Sequence, residues 1–143
     1  MSPTISCSSV YKIFGNNAKT LLSESGGNVD AKKFQEAGCI VGVNNASFDV
    51  NQGEIVALVG PTGAGKTTIC NLIPRFWDPD IGCVKVGGYE VNNLNLRFLR
   101  GNIAAVLQDV FLFHGTVRHN ILFGRPESSE EEVISAAQIA NAE

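Results

Sequence analysis

An α/β architecture is what this sequence predicts, on three observations. Segments with strand and helix patterning alternate from residue 54 onward. A glycine-rich loop over residues 60–65 joins an apolar β-branched run to a helical segment. The composition of the 143 residues, with 44% hydrophobic residues, 15 Gly and a net charge of −3, is that of a globular chain with room for one core, not of a disordered, collagen-like or membrane chain.

The elements follow in order. A first strand is predicted over residues 4–14, where Ile5, Val10, Ile13 and Phe14 supply β-formers and Gly15-Asn16-Asn17 ends it in a turn. Ser23-Glu24-Ser25-Gly26-Gly27-Asn28 reads as flexible polar chain, and residues 29–37 as a short helix closed by Gly38. A second β region spans residues 39–50, with Ala46, Phe48 and Val50 alternating before the turn Asn51-Gln52-Gly53. Residues 54–59 read as a buried strand by their β-branched content. Past the glycine-rich loop, residues 66–76 form a helix with Ile69, Leu72 and Ile73 on one face, stopped near Pro74. Val84 and Val86 mark a short strand before Gly87-Gly88, Leu96 and Leu99 a short helix, and residues 103–107 a second apolar strand ending at Gln108-Asp109. Thr116 caps a helical turn running to Phe123, with Gly124 as its stop. The last helix has the clearest start: Ser129 and Glu132 form a capping box, Glu130 and Glu131 suit the positive helix end, and Val133, Ala136, Ala137 and Ala140 make a packing face.

Several classes of function are disfavoured at once. The acidic balance argues against nucleic acid as a partner, which calls for a basic face. The longest uninterrupted apolar stretch, residues 55–59, falls far short of the roughly 20 residues that cross a bilayer. Residues 1–10 lack the basic start and apolar run of an export signal. Cys7, Cys39, Cys70 and Cys83 stand at wide, irregular spacings, which suits buried thiols in a reducing compartment better than disulfides or zinc.

Chemistry concentrates in Gly60-Pro61-Thr62-Gly63-Ala64-Gly65-Lys66-Thr67, which satisfies G-x-x-x-x-G-K-[ST] between a predicted strand and a predicted helix. Such a match arises by chance roughly once in a few hundred chains of this length. Glycines let the loop take positive φ and bring backbone N–H groups close to an anion. The helix start adds free N–H groups and a positive dipole end. Lys66 is placed to neutralise β- and γ-phosphates, and the Thr67 hydroxyl to ligate Mg²⁺. The pattern predicts a nucleoside triphosphate site.

The neighbours narrow the branch. The run from Val59 to Thr68, Leu72-Ile73-Pro74-Arg75-Phe76-Trp77-Asp78-Pro79, Gly82, Gly88, Leu99-Arg100 and Val106-Leu107-Gln108-Asp109-Val110-Phe111-Leu112-Phe113 resemble the ATP-binding domain of ABC transporters. Gly115-Thr116-Val117-Arg118, Asn120-Ile121 and Gly124-Arg125-Pro126 are similar to its lipid and multidrug exporter branch, so that the likeness covers residues 55–143. Upstream, Tyr11-Lys12-Ile13-Phe14-Gly15 and Gly42-Val43-Asn44-Asn45-Ala46-Ser47-Phe48, separated by a helical insertion, look like the ATP-binding subunit of glycine betaine/proline importers, over residues 1–54. The reading is a hybrid, importer-like up to about residue 54 and exporter-like beyond, either engineered or recombined, with simple divergence as the alternative.

The resemblance implies an incomplete P-loop NTPase core of ABC type. Residues 1–54 would be an N-terminal antiparallel β region with a helical insertion, 55–113 the P-loop core, and 114–143 the start of a helical subdomain. It implies ATP and Mg²⁺ as ligands, held by Gly60, Pro61, Thr62, Gly63, Ala64, Gly65, Lys66, Thr67 and Thr68. Phe14 takes the place of the aromatic that stacks on adenine, a contact worth about 1–3 kcal/mol, with Tyr11 as competitor and a plain core role as the alternative. Gln108 takes the place of the glutamine that touches Mg²⁺ or the attacking water and faces the membrane domain. Implied partners are a transmembrane subunit and a second nucleotide-binding domain, with the chain cytoplasmic at the inner membrane face.

Two positions depart from the family's pattern: His119 stands where exporters usually carry Glu, and Gly87 where an Asp is usual. The 35 residues after Gln108 contain no LSGGQ-like signature, no apolar run ending in Asp-Glu and no following catalytic-loop histidine. The expectation is the ATP-binding part of a transporter ATPase, powering transmembrane transport when the rest of the domain is present, with a truncated module that binds nucleotide or associates with an intact subunit without turnover as the alternative; alone, the chain is expected to bind MgATP but scarcely to hydrolyse it. Strand 54–59 is then expected to lack a neighbour, leaving an apolar edge that invites pairing or aggregation and a marginally stable chain. A P-loop kinase or GTPase is disfavoured, since neither an N-K-x-D-like motif nor a lid arginine cluster is present.

Overall fold

The computed structural model describes residues 2–106 and 111–142. Two compact units divide the chain, Met1–Ile103 and Ala104–Glu143.

In the first unit, β1 (Ile5–Phe14) is the strand on which the rest assembles. It pairs antiparallel with β2 (Ile40–Val50) along one edge and with β3 (Ile81–Val86) along the other. A two-residue β4 (Tyr89–Glu90) closes the order β2-β1-β3-β4. The link from β3 to β4 is Gly87-Gly88 with φ of 59° and 84°, the doubly positive geometry of a tight hairpin that only glycine adopts without strain.

The β1 pattern is not a plain alternation. Cys7 and Val10, three residues apart, are buried in the same core, a spacing that in a regular strand puts side chains on opposite faces. A bulge resolves it: the register shifts between Cys7 and Val10, Ser9 takes φ 47°, and its N–H donates to the Ser47 hydroxyl at 2.8 Å. Opposite the bulge lies Gly82, φ 81°, where any Cβ would overlap the Ser9 carbonyl oxygen.

Helices α1 (Ala18–Glu24) and α2 (Ala31–Glu36) form the insertion between β1 and β2. Asp30 caps α2 by accepting from the Lys32 and Lys33 N–H groups at 2.9 and 3.4 Å. Phe34, Ala18, Ile13 and Cys39 make a small core of their own beneath the pair. The sequence had predicted α2 and missed α1, whose Ala18, Leu21 and Leu22 supply a helical apolar face on that core.

Helix α3 (Lys66–Leu72) and α4 (Leu96–Gly101) complete the main core, where Leu72 and Leu99 meet Cys7, Val10, Val43, Val84 and Val91. Asn95 caps α4, accepting from the Arg97 and Phe98 N–H groups at 2.9 and 3.3 Å. Arg100 ties α4 back to the end of α3, donating to the Pro74 and Arg75 carbonyls at 3.0 and 2.8 Å.

Three sequence expectations need correction. Residues 54–59 are neither buried nor paired: they form no ladder, and Ile55 and Val59 are 97% and 93% exposed. A run apolar on both faces needs strands on both edges and cover on both sides, and the sheet of this unit ends its pairing at β2. Residues 103–106 likewise form no strand, with Val106 fully exposed; Leu107 and Gln108 lie outside the described residues. The thiols are also less uniform than predicted: Cys7 and Cys39 are buried, Cys83 is half-buried, and Cys70 is exposed because the apolar side of α3 is taken by Ile69, Leu72 and Ile73.

The second unit holds α5 (Val117–Leu122) and α6 (Glu130–Ile139). Thr116 caps α5, and the capping box of Ser129 with Glu132 forms as predicted, both arms present. Arg118 and Glu130 pair between the helices at 2.6 Å. Phe113 and Phe123 stack at 4.0 Å, and Asn120 ties the chain before α5 by accepting from the Phe113 N–H at 2.7 Å. The packing face of α6 is narrower than predicted: Val133 is buried and Ala137 half-buried, while Ala136 and Ala140 are exposed. Among the described residues no helix is long and apolar enough to cross a membrane.

Candidate functional site

Residues 60–65 form an exposed loop running into α3, and the backbone shows why glycines stand where they do. Gly63 and Gly65 have φ of 85° and 81°, in the left-handed region that costs other L-residues about 1–2 kcal/mol. Gly65 is also the N-cap of α3, with no side chain to cap the first-turn N–H groups. Those groups are therefore free to face an anion at the loop mouth. The loop is held from behind through α3, whose Leu72 is 0% exposed in the core.

Lys66 begins that helix and folds back across the loop. Its ammonium donates to the Gly60 carbonyl at 2.7 Å and the Pro61 carbonyl at 2.9 Å. The cation is thus carried over the mouth of the loop by acceptors of the loop itself. Thr67, next along, is exposed, and Thr68 is half-buried.

A second strand position completes the arrangement. A methyl group at Gly65 would overlap the Gly42 carbonyl oxygen, and one at Gly42 would lie 2.8 Å from the Phe14 ring and 3.3 Å from the Thr68 methyl. Gly42, inside β2, is therefore the place where the loop, α3 and Phe14 come together. Its presence in a strand was a legible signal of close backbone approach, and sequence reasoning passed over it.

Phe14, the last residue of β1, is half-buried. Its ring meets Trp77 edge-on, centroids 5.3 Å apart and planes at 85°, and the Lys12 ammonium lies 5.5 Å from its centroid. Lys12 is itself paired with Asp80 at 3.1 Å, and Asp80 accepts from the Ile13 N–H at 2.8 Å. Of the predicted site residues, the structure thus joins Gly60, Pro61 and Lys66 in one set of hydrogen bonds and groups Gly65, Thr68 and Phe14 about Gly42. Thr62, Gly63, Ala64 and Thr67 line the exposed loop and helix start. Tyr11, the other candidate aromatic, pairs with Ile81 in the sheet. Gln108 lies outside the described residues.

With fold and loop in view, the chain belongs to the ABC transporter family: residues 43–143 match the family model described as ABC transporter. Among curated relatives, the Trimethylamine N-oxide transport system ATP-binding protein TmoW of Pelagibacter ubique is 48% identical over 126 residues, covering 85% of this chain and 37% of that protein. An ATP-dependent lipid A-core flippase of Thiobacillus denitrificans is 48% identical over 97 residues, covering 67% of this chain and 17% of that one. Among solved structures, a bacterial Atm1-family ABC exporter with ATP bound aligns with TM-score 0.74 and 32% identity, covering 99% of this chain and 21% of that chain. The chain thus spans about a third of the length of the first relative and about a sixth of the second. It is similar to the ATP-binding protein of a transport system and to exporter proteins alike, and the match to the first runs through both the upstream and the downstream part, since 85% of the chain exceeds either.

Proposed function

We propose that this chain is the ATP-binding part of an ABC transporter ATPase, taking MgATP with its triphosphate in the loop of residues 60–68. The observation that carries the reading is the loop itself: two glycines in left-handed geometry, an uncapped helix start behind them, and the Lys66 ammonium held over the mouth. The donor set suits the ligand. Free backbone N–H groups and a lysine take phosphate oxygens, and the exposed Thr67 hydroxyl is the kind of neutral oxygen that Mg²⁺ accepts beside phosphates. When bound, the metal neutralises charge on the phosphates. Lys66 exchanges its two carbonyl partners for phosphate oxygens, and the Phe14 ring takes the adenine.

The partners of the whole assembly follow from the same reading: a transmembrane subunit, a second nucleotide-binding domain, and a place at the cytoplasmic face of the membrane through them. Gln108 is proposed to meet Mg²⁺ or the attacking water. The 143 residues taken alone bind nucleotide without appreciable turnover, because the sequence holds neither an LSGGQ-like signature nor an apolar run ending in Asp-Glu. Divergence within the family suits the chain better than a hybrid origin, because one transport-system relative aligns through both parts.

The test pairs two measurements on the chain and on Lys66→Ala. Calorimetric titration should find MgATP binding that the substitution weakens at least tenfold, and phosphate release should stay at background in both. Equal affinity in the two proteins would refute the loop as the triphosphate site, and turnover that vanishes in Lys66→Ala would refute the non-hydrolysing part.

A further inference from the structure

Trp77 is the only tryptophan in the chain, and at 47% exposure it is a large apolar side chain left half in water. It does not sit on a loose segment. On one side Arg75, at φ 56°, donates to Asp78 at 2.7 Å and to the Asn92 carbonyl at 3.1 Å, while its own carbonyl accepts from Arg100 at 2.8 Å. On the other side Asp80 is fastened to the Ile13 N–H and to Lys12. Residues before and after the indole are thus tied to α4, to the turn after β4 and to β1. A side chain on such a mount holds its neighbour in place.

That neighbour is Phe14. The two rings stand at 85° with centroids 5.3 Å apart, the edge-to-face arrangement that aromatic pairs favour. Gly42 gives the Phe14 ring room on another side, where a Cβ would come within 2.8 Å of it. The ring is therefore fixed in plane and tilt by a mounted indole, and the perpendicular pair forms an L-shaped corner with one wall half open.

We propose that Trp77 is the positioning residue of the Phe14 platform and the side wall of the purine seat. The inference rests on the reading of Phe14 as the base-stacking residue and goes beyond it: the platform works only while the indole holds it, and a base stacked on Phe14 meets Trp77 at its edge.

The chain's single tryptophan makes this directly measurable. The 143-residue chain is titrated with MgATP and, separately, with inorganic tripolyphosphate, which carries the phosphates without a base. ATP should change the tryptophan emission, whereas tripolyphosphate, binding as seen by calorimetry, should leave it unchanged. Trp77→Ala should weaken ATP about threefold to tenfold, the range expected for one aromatic pair, and leave tripolyphosphate affinity as it was. Trp77→Phe should restore most of the ATP affinity. An ATP affinity unchanged in Trp77→Ala, or an equal loss for both ligands, overturns the positioning role while the triphosphate site stands. Binding of neither ligand by the unsubstituted chain overturns the nucleotide reading and the inference with it.

Discussion

Gly63 and Gly65 offer a controlled comparison, because their backbones are nearly alike and their surroundings are not. Both have φ near the left-handed minimum, 85° and 81°, so replacing either by alanine carries a shared backbone cost of about 1–2 kcal/mol. A methyl at Gly63 meets nothing within 4 Å, whereas one at Gly65 overlaps the Gly42 carbonyl oxygen. Backbone cannot yield as a flexible side chain does, so the loop must lift off β2 or β2 must shift, an overpacking cost of about 1–3 kcal/mol. Gly63→Ala is therefore expected to cost about 1–2 kcal/mol and Gly65→Ala about 2–5 kcal/mol. Urea unfolding of both variants beside the unsubstituted chain, followed by far-ultraviolet circular dichroism, reads the difference directly, since the shared term cancels. Equal destabilisation, or a larger loss in Gly63→Ala, would refute the packing of this loop against β2.

Three further outcomes follow from the structure. Burial, reinforced by Cys83 and Asp49, pushes the Cys7 thiol up to about 11 from 9.0; the unfolded chain thus loses this proton first, and stability full below pH 9 should fall between pH 9 and 11. Cys7→Ala should flatten that alkaline limb in melts taken across the range, and an unchanged limb would assign it to other groups. Asp80→Ala strands both the Ile13 N–H and Lys12 and should cost about 2–4 kcal/mol in denaturant titration, whereas Asp80→Asn, which keeps an acceptor for Ile13, should cost distinctly less. Ser129→Ala removes the side-chain arm of the α6 capping box and should cost about 1 kcal/mol, read as lost helicity of the second unit; no change would mean that the cap is idle.

What the sequence made legible was the local chemistry. The phosphate-loop pattern, the α6 box, the Thr116 cap and the turn at Gly87-Gly88 each depend on a few adjacent residues, and each forms as the residues dictate. What it concealed was set by distant ones. The β1 bulge is fixed by a Ser47 hydroxyl and by Gly82, residues far along the chain. The run at residues 54–59 has every local mark of a buried strand, yet burial is supplied by neighbours, and it was the family resemblance, not the composition, that signalled one would be lacking. For the site, the loop was legible and its setting was not: that Gly42 lets Phe14 approach α3, and that Trp77 stands against Phe14, are facts of register and packing.

The same contrast bears on how the loop is held. Its stem at residues 54–59 is exposed and forms no ladder, so among the described residues the loop takes its rigidity from the other end, through Leu72 in the core and the Gly65 contact with Gly42. Preorganised donors contribute most when they need not move to meet charge. By that measure the backbone N–H groups at the start of α3 would be the ready part of the proposed triphosphate site, and Lys66 the part that must change, giving up the Gly60 and Pro61 carbonyls before it could reach a phosphate. On the proposed function, triphosphate affinity would then be the difference between two sets of charged hydrogen bonds made by one ammonium. Removing Lys66 takes away both sets, and the loss seen in Lys66→Ala measures that difference, not the full strength of the lysine's bonds to the phosphates.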